Sequence, residues 1–201
     1  RALKVPEGAL PGFGGLELSM SSTALKGLED AVKFLVDYQY ECTEQVASRM
    51  LPIFVLGPVL EQFPIASVKD LARRTQLAEA GIARMLGRQN RDGGFRYWDT
   101  NARTSPYLSV YVTFALLEGK KAGFKVEEQA LRRALNYLES FITYGESTPL
   151  GPYYDNTSRA LALWLLSREK RGAELFDSVY ARRDEVPLYA RMQLLSAAHA
   201  F

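Results

Sequence analysis

A thiol and a carboxamide three positions apart are the residues in this sequence whose types and spacing could do chemistry. Cys42 is the sole cysteine among 201 residues, and it opens the run Cys42, Thr43, Glu44, Gln45. On a helix, residues i and i+3 share a face, so a sulfur at 42 can reach an amide carbon at 45. The N-terminus of a helix also favours thiolate, the nucleophilic form of cysteine. Attack on an acyl carbon is the chemistry such a pair permits. A plainer reading stands beside it, because a lone cysteine often serves as a small buried apolar side chain. One cysteine gives no internal disulfide framework, and one histidine gives no His-rich metal site. That histidine, His199, lies in the apolar helical stretch 194–201 and reads as a packed core residue.

The elements that must position the pair are helical. Residues 1–22 stand apart: Pro11, Gly12, Gly14 and Gly15 punctuate the chain, and 16–21 alternates apolar and polar with the period of a half-buried strand. This reads as a linker or edge strand leading into the domain. From Ser22 onward apolar residues recur at three- and four-residue spacings, with Ser21, Ser22 and Thr23 as N-cap choices for a first helix ending near Asp37. A second helix is expected from Cys42 or Thr43 through Phe54, bent or ended by Pro52. Further helices are expected over 67–89, 107–121, 127–143, 157–168 and 172–182, and a last one from about Pro187. Short connections rich in Gly, Pro, Asn and Asp make this a series of helical hairpins in one domain, 23–201. The stretch 190–201 ends in an apolar helical pattern with no stop signal, so the chain reads as a C-terminally truncated piece of something longer.

Composition removes several function classes. The chain has 25 basic and 23 acidic side chains, a formal charge of +2, so it lacks the clustered positive charge that nucleic-acid binding requires. The basic pairs, such as Arg73-Arg74 and Arg132-Arg133, are dispersed among acids and read as solvated helix faces. No apolar run approaches the roughly 18 residues needed to cross a bilayer, so direct membrane insertion is not expected. Residues 1–8 lack the apolar stretch of a signal peptide.

One connector carries a resemblance. Gln89, Asp92, Gly93, Gly94 and Phe95 end a helix with a glutamine, turn on Asp-Gly-Gly and anchor an aromatic; glycine permits the positive φ that such a turn needs. This resembles the repeat of alpha-alpha toroids, the fold of terpene cyclases, protein prenyltransferases and complement-type thioester domains. A shorter echo occurs at 150–155. The segment from Tyr38 and Tyr40 to Cys42, Glu44 and Gln45, with 21–28 before it and Ala47, Ser48, Arg49, Met50, Leu51 and Pro52 after it, is similar to the thioester motif of the bacterial alpha-2-macroglobulin family.

The resemblance carries expectations for fold, site and partners. The fold would be all-α, an incomplete alpha-alpha toroid preceded by a short extended segment. An open ring exposes apolar faces, so weak stability or packing against another copy would follow. Attack by Cys42 on Gln45 would expel ammonia and leave a thioester. Thr43 and Glu44 would lie beside that bond, and Tyr38 and Tyr40 would shield it from water. The parent protein would be a broad-spectrum protease trap of the periplasm or cell envelope, cut by its target in a bait region elsewhere. Its partners would be target proteases, acylated through lysine amines, and the other domains of the parent chain. No cofactor or metal is implied. Some family members place a histidine after the toroid turn that directs acyl transfer to hydroxyls; 95–111 contains none, so amines are the expected nucleophiles. Two alternatives remain. One is a non-covalent binding module with an unreactive motif. The other is a toroid enzyme of the terpene cyclase or prenyltransferase type, which needs an acidic cluster or zinc ligands. Asp92, Asp99 and Asp155 are isolated, which disfavours it.

Overall fold

The computed structural model describes residues 7–8, 10, 34, 38, 40–60, 70–100, 103–145 and 148–201. The extended segment expected over 16–21, the N-caps at 21–23 and the helix expected over 22–37 lie outside the described residues, Phe34 excepted. Among the described residues the fold is all-helical. The helices are α1 (Thr43–Leu60), α2 (Leu71–Gly87), α3 (Pro106–Lys121), α4 (Glu128–Tyr144), α5 (Pro152–Arg168), α6 (Phe176–Tyr180) and α7 (Leu188–Ala200), with 3-10 turns at Ala173–Leu175 and Arg183–Glu185.

Sequence pattern sorts these helices into two layers. In α3 the buried set includes Leu108, Val110, Val112, Thr113, Ala115 and Leu116, which point in every direction around the axis. A helix apolar all round must be enclosed. By contrast α4 buries Leu131, Leu135, Leu138 and Ile142 along one stripe and exposes Arg132, Arg133 and Asn136. Accordingly α1 packs on α3, α3 on α5 and α5 on α7, while α2 covers α1 and α4 covers α3 and α5. The alternating helices form an inner row, and the helices between them form an outer row. Each fully buried leucine in the inner row contributes about 2 kcal/mol by leaving water. At the α1–α2 crossing the Met50 side chain packs against Gly81, where a Cβ would collide with it.

Several expected boundaries move. Instead of ending near Pro52, α1 runs to Leu60. Its buried stripe of Met50, Ile53 and Phe54 brackets the proline and outweighs the roughly 3 kcal/mol an interior proline costs. Expected from Ser67, α2 begins at Leu71, where the Asp70 carboxylate accepts a hydrogen bond from the Ala72 N–H at 2.9 Å. In α5, Pro152 sits in the first turn and lets the helix begin five residues earlier than its apolar period indicates. The helix expected over 172–182 is broken into a 3-10 turn and the five-residue α6, of which only Val179 is buried. His199 is a correction. It is exposed in the last turn of α7, off the buried stripe Ala190, Leu194, Ala197, and is not a core residue.

Candidate functional site

The entrance to α1 is built from three directions. Cys42 occupies the N-cap position, and the Gln45 side chain folds back so that its Oε1 accepts a hydrogen bond from the Cys42 N–H at 3.1 Å. This is half of a capping box, with glutamine at the third helical position satisfying a backbone donor of the cap residue. Cys42 is buried, with 7% of its surface exposed, and its thiol is free. The two residues singled out by spacing therefore lie together at one helix start.

Thr43 fixes the helix to a distant loop. Its N–H donates to the Tyr97 carbonyl at 3.0 Å, and its hydroxyl lies 2.6 Å from the Arg96 carbonyl and 3.1 Å from that of Tyr97. Fully enclosed, it is a buried polar residue with every group satisfied. Glu44 turns the other way: its carboxylate accepts from Ser48 Oγ at 3.2 Å, and that hydroxyl is 2.9 Å from Tyr111 Oη. Tyr111 stacks on Tyr107 with centroids 6.2 Å apart. Burial first, and the Glu44 charge second, raise the Tyr107 phenol above its ordinary pKa. Burial also raises Tyr111, with the hydrogen bond to Ser48 working against it. Tyr38 lies between Phe34 and Tyr40, 5.5 Å from each ring, and Tyr40 is 70% exposed.

The loop that receives Thr43 is the Asp-Gly-Gly turn between α2 and α3. Gly93 has φ +92°, and a Cβ there would collide with the carbonyl oxygen of Arg133. Gln89 Nε2 donates to the carbonyls of Gly93 and Ala130 at 3.0 and 2.9 Å, and its Oε1 accepts from Arg133 Nη2 at 2.9 Å. Asp92 accepts from the Gly94 N–H at 3.0 Å and from the Thr104 hydroxyl at 2.7 Å. Phe95 is fully buried, and its N–H donates to Ser109 Oγ at 2.8 Å. The turn is thereby locked to α3 and α4, and it presents the carbonyls of Arg96 and Tyr97 to α1.

Arg88 is the residue sequence reasoning missed. Only 4% of its side chain is exposed. Its Nη1 donates to the carbonyl of Glu41 and lies 3.4 Å from Thr43 Oγ1, while Nε meets Asp99 Oδ1 at 3.0 Å and Nη2 meets Oδ2 at 3.3 Å. The guanidinium sits 5.9 Å from the centroid of the Trp98 ring. Its hydrogen bond, and then its charge, lower the Asp99 carboxyl below the usual carboxylate range. In the sequence it is one arginine among many. The Glu41 carboxylate, on the same segment, pairs with Arg84 and, at 3.5 Å, with Arg49.

The three isolated aspartates each have a structural partner: Asp92 in the turn, Asp99 on Arg88, and Asp155 accepting from the N–H and hydroxyl of Thr148 at 2.8 and 2.6 Å. Among the described residues no group of three or more His, Cys, Asp or Glu side chains is arranged to hold a metal ion.

No protein-family model matches the chain. An alpha-2-macroglobulin of Rickettsia conorii is 32% identical over 140 residues, which is 69% of this chain and 7% of that protein. The structure of native Escherichia coli alpha-2-macroglobulin from domain MG7 to the C-terminus aligns with TM-score 0.77 and 24% identity over 85% of this chain and 28% of that one. Salmonella alpha-2-macroglobulin reacted with methylamine aligns with TM-score 0.77 and 24% identity, over 86% of this chain and 12% of that one. A trypsin-activated form of the E. coli protein aligns at TM-score 0.70, with 23% identity over 81% of this chain and 12% of that one. The fold is thus that of the helical region of alpha-2-macroglobulin-type proteins. More particularly, the chain is homologous to a segment of the bacterial alpha-2-macroglobulins, and it spans under a tenth of the length of the curated relative from Rickettsia conorii.

Proposed function

We propose that this chain is the thioester-bearing helical segment of a bacterial alpha-2-macroglobulin-like protease trap. The observation that supports it is the Gln45 carboxamide folded onto the Cys42 N–H at a buried helix entrance. In the proposed reaction Cys42 Sγ attacks Gln45 Cδ, the carbon–nitrogen bond breaks, and the departing nitrogen carries away the thiol proton as ammonia. The product is an acyl donor more reactive than the amide, because thiolate is the better leaving group. In this reading Tyr38 and Tyr40 shield the bond from water, Thr43 ties the helix entrance to the carbonyls of Arg96 and Tyr97, and Glu44, held by Ser48, lies next to the bond.

In the parent protein, cleavage by a protease elsewhere in the chain exposes the bond. A lysine amine of that protease then attacks the Gln45 acyl carbon and releases the Cys42 thiol. One bond forms per molecule, so the protein is a broad-spectrum endopeptidase inhibitor and not a turnover enzyme. The cell envelope or periplasm is the proposed site of action.

Mass spectrometry of the freshly prepared parent protein tests this. The expected mass is lower by one ammonia than the sequence mass, and methylamine then adds its own mass and frees one thiol. A parent protein with the full sequence mass and no response to methylamine would overturn the reading. With matched amine and sugar nucleophiles, labelling of the amine is expected to be the faster; faster sugar labelling would rule out direct attack by amines.

A further inference from the structure

Arg88 does something that neither the capping box nor the turn requires. A surface arginine keeps its head in water, whereas this one is enclosed and placed on the backbone next to Cys42. On one side of Cys42 the Glu41 carbonyl accepts from Arg88. On the other the Thr43 N–H donates to Tyr97 at 3.0 Å. Cys42 is therefore held between two fixed peptide groups, with the Gln45 carboxamide on its own N–H. We propose that Arg88, oriented by Asp99, is a positioning residue for thioester formation: it sets the backbone at Glu41 and Cys42 so that the sulfur faces the Gln45 carbon. The inference rests on the thioester reading of Cys42 and Gln45.

Physical chemistry favours arginine for this task. Its fork can grip the Asp99 carboxylate through Nε and Nη2 and still offer Nη1 to the carbonyl, whereas a lysine ammonium is a point donor without that division of labour. Asp99 is exposed at the far side of the fork, so its loss leaves the buried surface intact while freeing the guanidinium to rotate. Intramolecular acyl transfer is sensitive to placement, and a shift of about 1 Å can cost on the order of a hundredfold in rate.

The test uses the intact parent chain in five forms: unaltered, Arg88→Met, Arg88→Lys, Asp99→Asn and Arg168→Met. The last breaks a partly buried ion pair, Arg168 to Glu118 at 2.6 Å, far along the chain from the cysteine, and serves as a control for general loss of stability. Two quantities are read: the fraction of molecules lacking one ammonia, and the melting temperature. Arg88→Met is expected to lower that fraction at least about tenfold. Asp99→Asn should lower it severalfold with little change in melting temperature, Arg88→Lys should fall between, and Arg168→Met should leave the fraction unchanged even where it lowers the melting temperature. If Arg88→Met and Asp99→Asn form the bond as fully as the unaltered protein, the positioning role is overturned and the thioester stands. A fraction that follows melting temperature alone, with Arg168→Met losing as much as Arg88→Met, also overturns it. An unaltered protein with no ammonia loss removes the thioester reading and this inference with it.

Discussion

Two inner helices, α1 and α5, begin in opposite ways. The start of α5 is closed by its own neighbourhood: Gly151 supplies φ +86°, Pro152 sets the first turn, and Asp155 reaches back only seven residues to Thr148. The start of α1 has one local bond, Gln45 on the Cys42 N–H, and is otherwise closed by residues more than forty positions away, through Arg88 on Glu41 and the carbonyls of Arg96 and Tyr97 on Thr43. A local closure makes a helix end self-sufficient. A remote closure makes the geometry around Cys42 depend on the α2–α3 connection, so the candidate site is only as ordered as a turn outside it.

Breaking that turn should produce the largest effect. Gly93→Ala forces a side chain into positive φ and against the Arg133 carbonyl, and a loss of about 3 kcal/mol in unfolding free energy is expected by urea denaturation. The ammonia-loss product should decline with it. Next comes the local entrance. Asp155→Ala leaves the Thr148 N–H and hydroxyl without their acceptor and is expected to remove about 2 kcal/mol, while the ammonia-loss fraction stays that of the unaltered protein. An equal decline of the fraction in both variants would erase the contrast between the two entrances.

Smaller effects sharpen it. Thr43→Val deletes the hydroxyl that bridges Arg96 and Arg88 and should cost about 1 kcal/mol, with incomplete ammonia loss at a nearly native melting temperature. Tyr137, packed beside the turn, gives a pH signature. Burial first, and the negative charge of Asp92 second, push its phenol up to about 12. A phenol raised in the folded state stabilises fully below its unfolded value of about 10, and that stability is lost as pH rises through its folded value. Melting temperature should therefore fall between pH 10 and about 12, and less steeply in Tyr137→Phe; identical slopes would remove the assignment.

The sequence carried the helical class and the paired side chains because both are local signals. Three-four periodicity marks the amphipathic stripe of α4, and a cysteine followed three places on by glutamine places both at one helix start. Less legible were the element edges. Nothing local says that α1 persists through Pro52, since that depends on the packing of Met50, Ile53 and Phe54, or that α5 starts at Pro152. His199 was misread because an apolar neighbourhood in sequence need not be one in space: its side chain falls off the stripe that faces α5. Arg88 was invisible for a related reason. Its role comes from Glu41, Thr43 and Asp99 converging on it across the fold, and no spacing in the chain announces that.

The contact between Gln45 Oε1 and the Cys42 N–H has one more implication for the proposed reaction. As sulfur adds to the carbonyl, negative charge gathers on that oxygen, and a donor already aimed at it stabilises the tetrahedral intermediate as one arm of an oxyanion hole does. The peptide group that folds the carboxamide into place would thus also activate it, so the nucleophile and the electrophile's polarising donor belong to one residue.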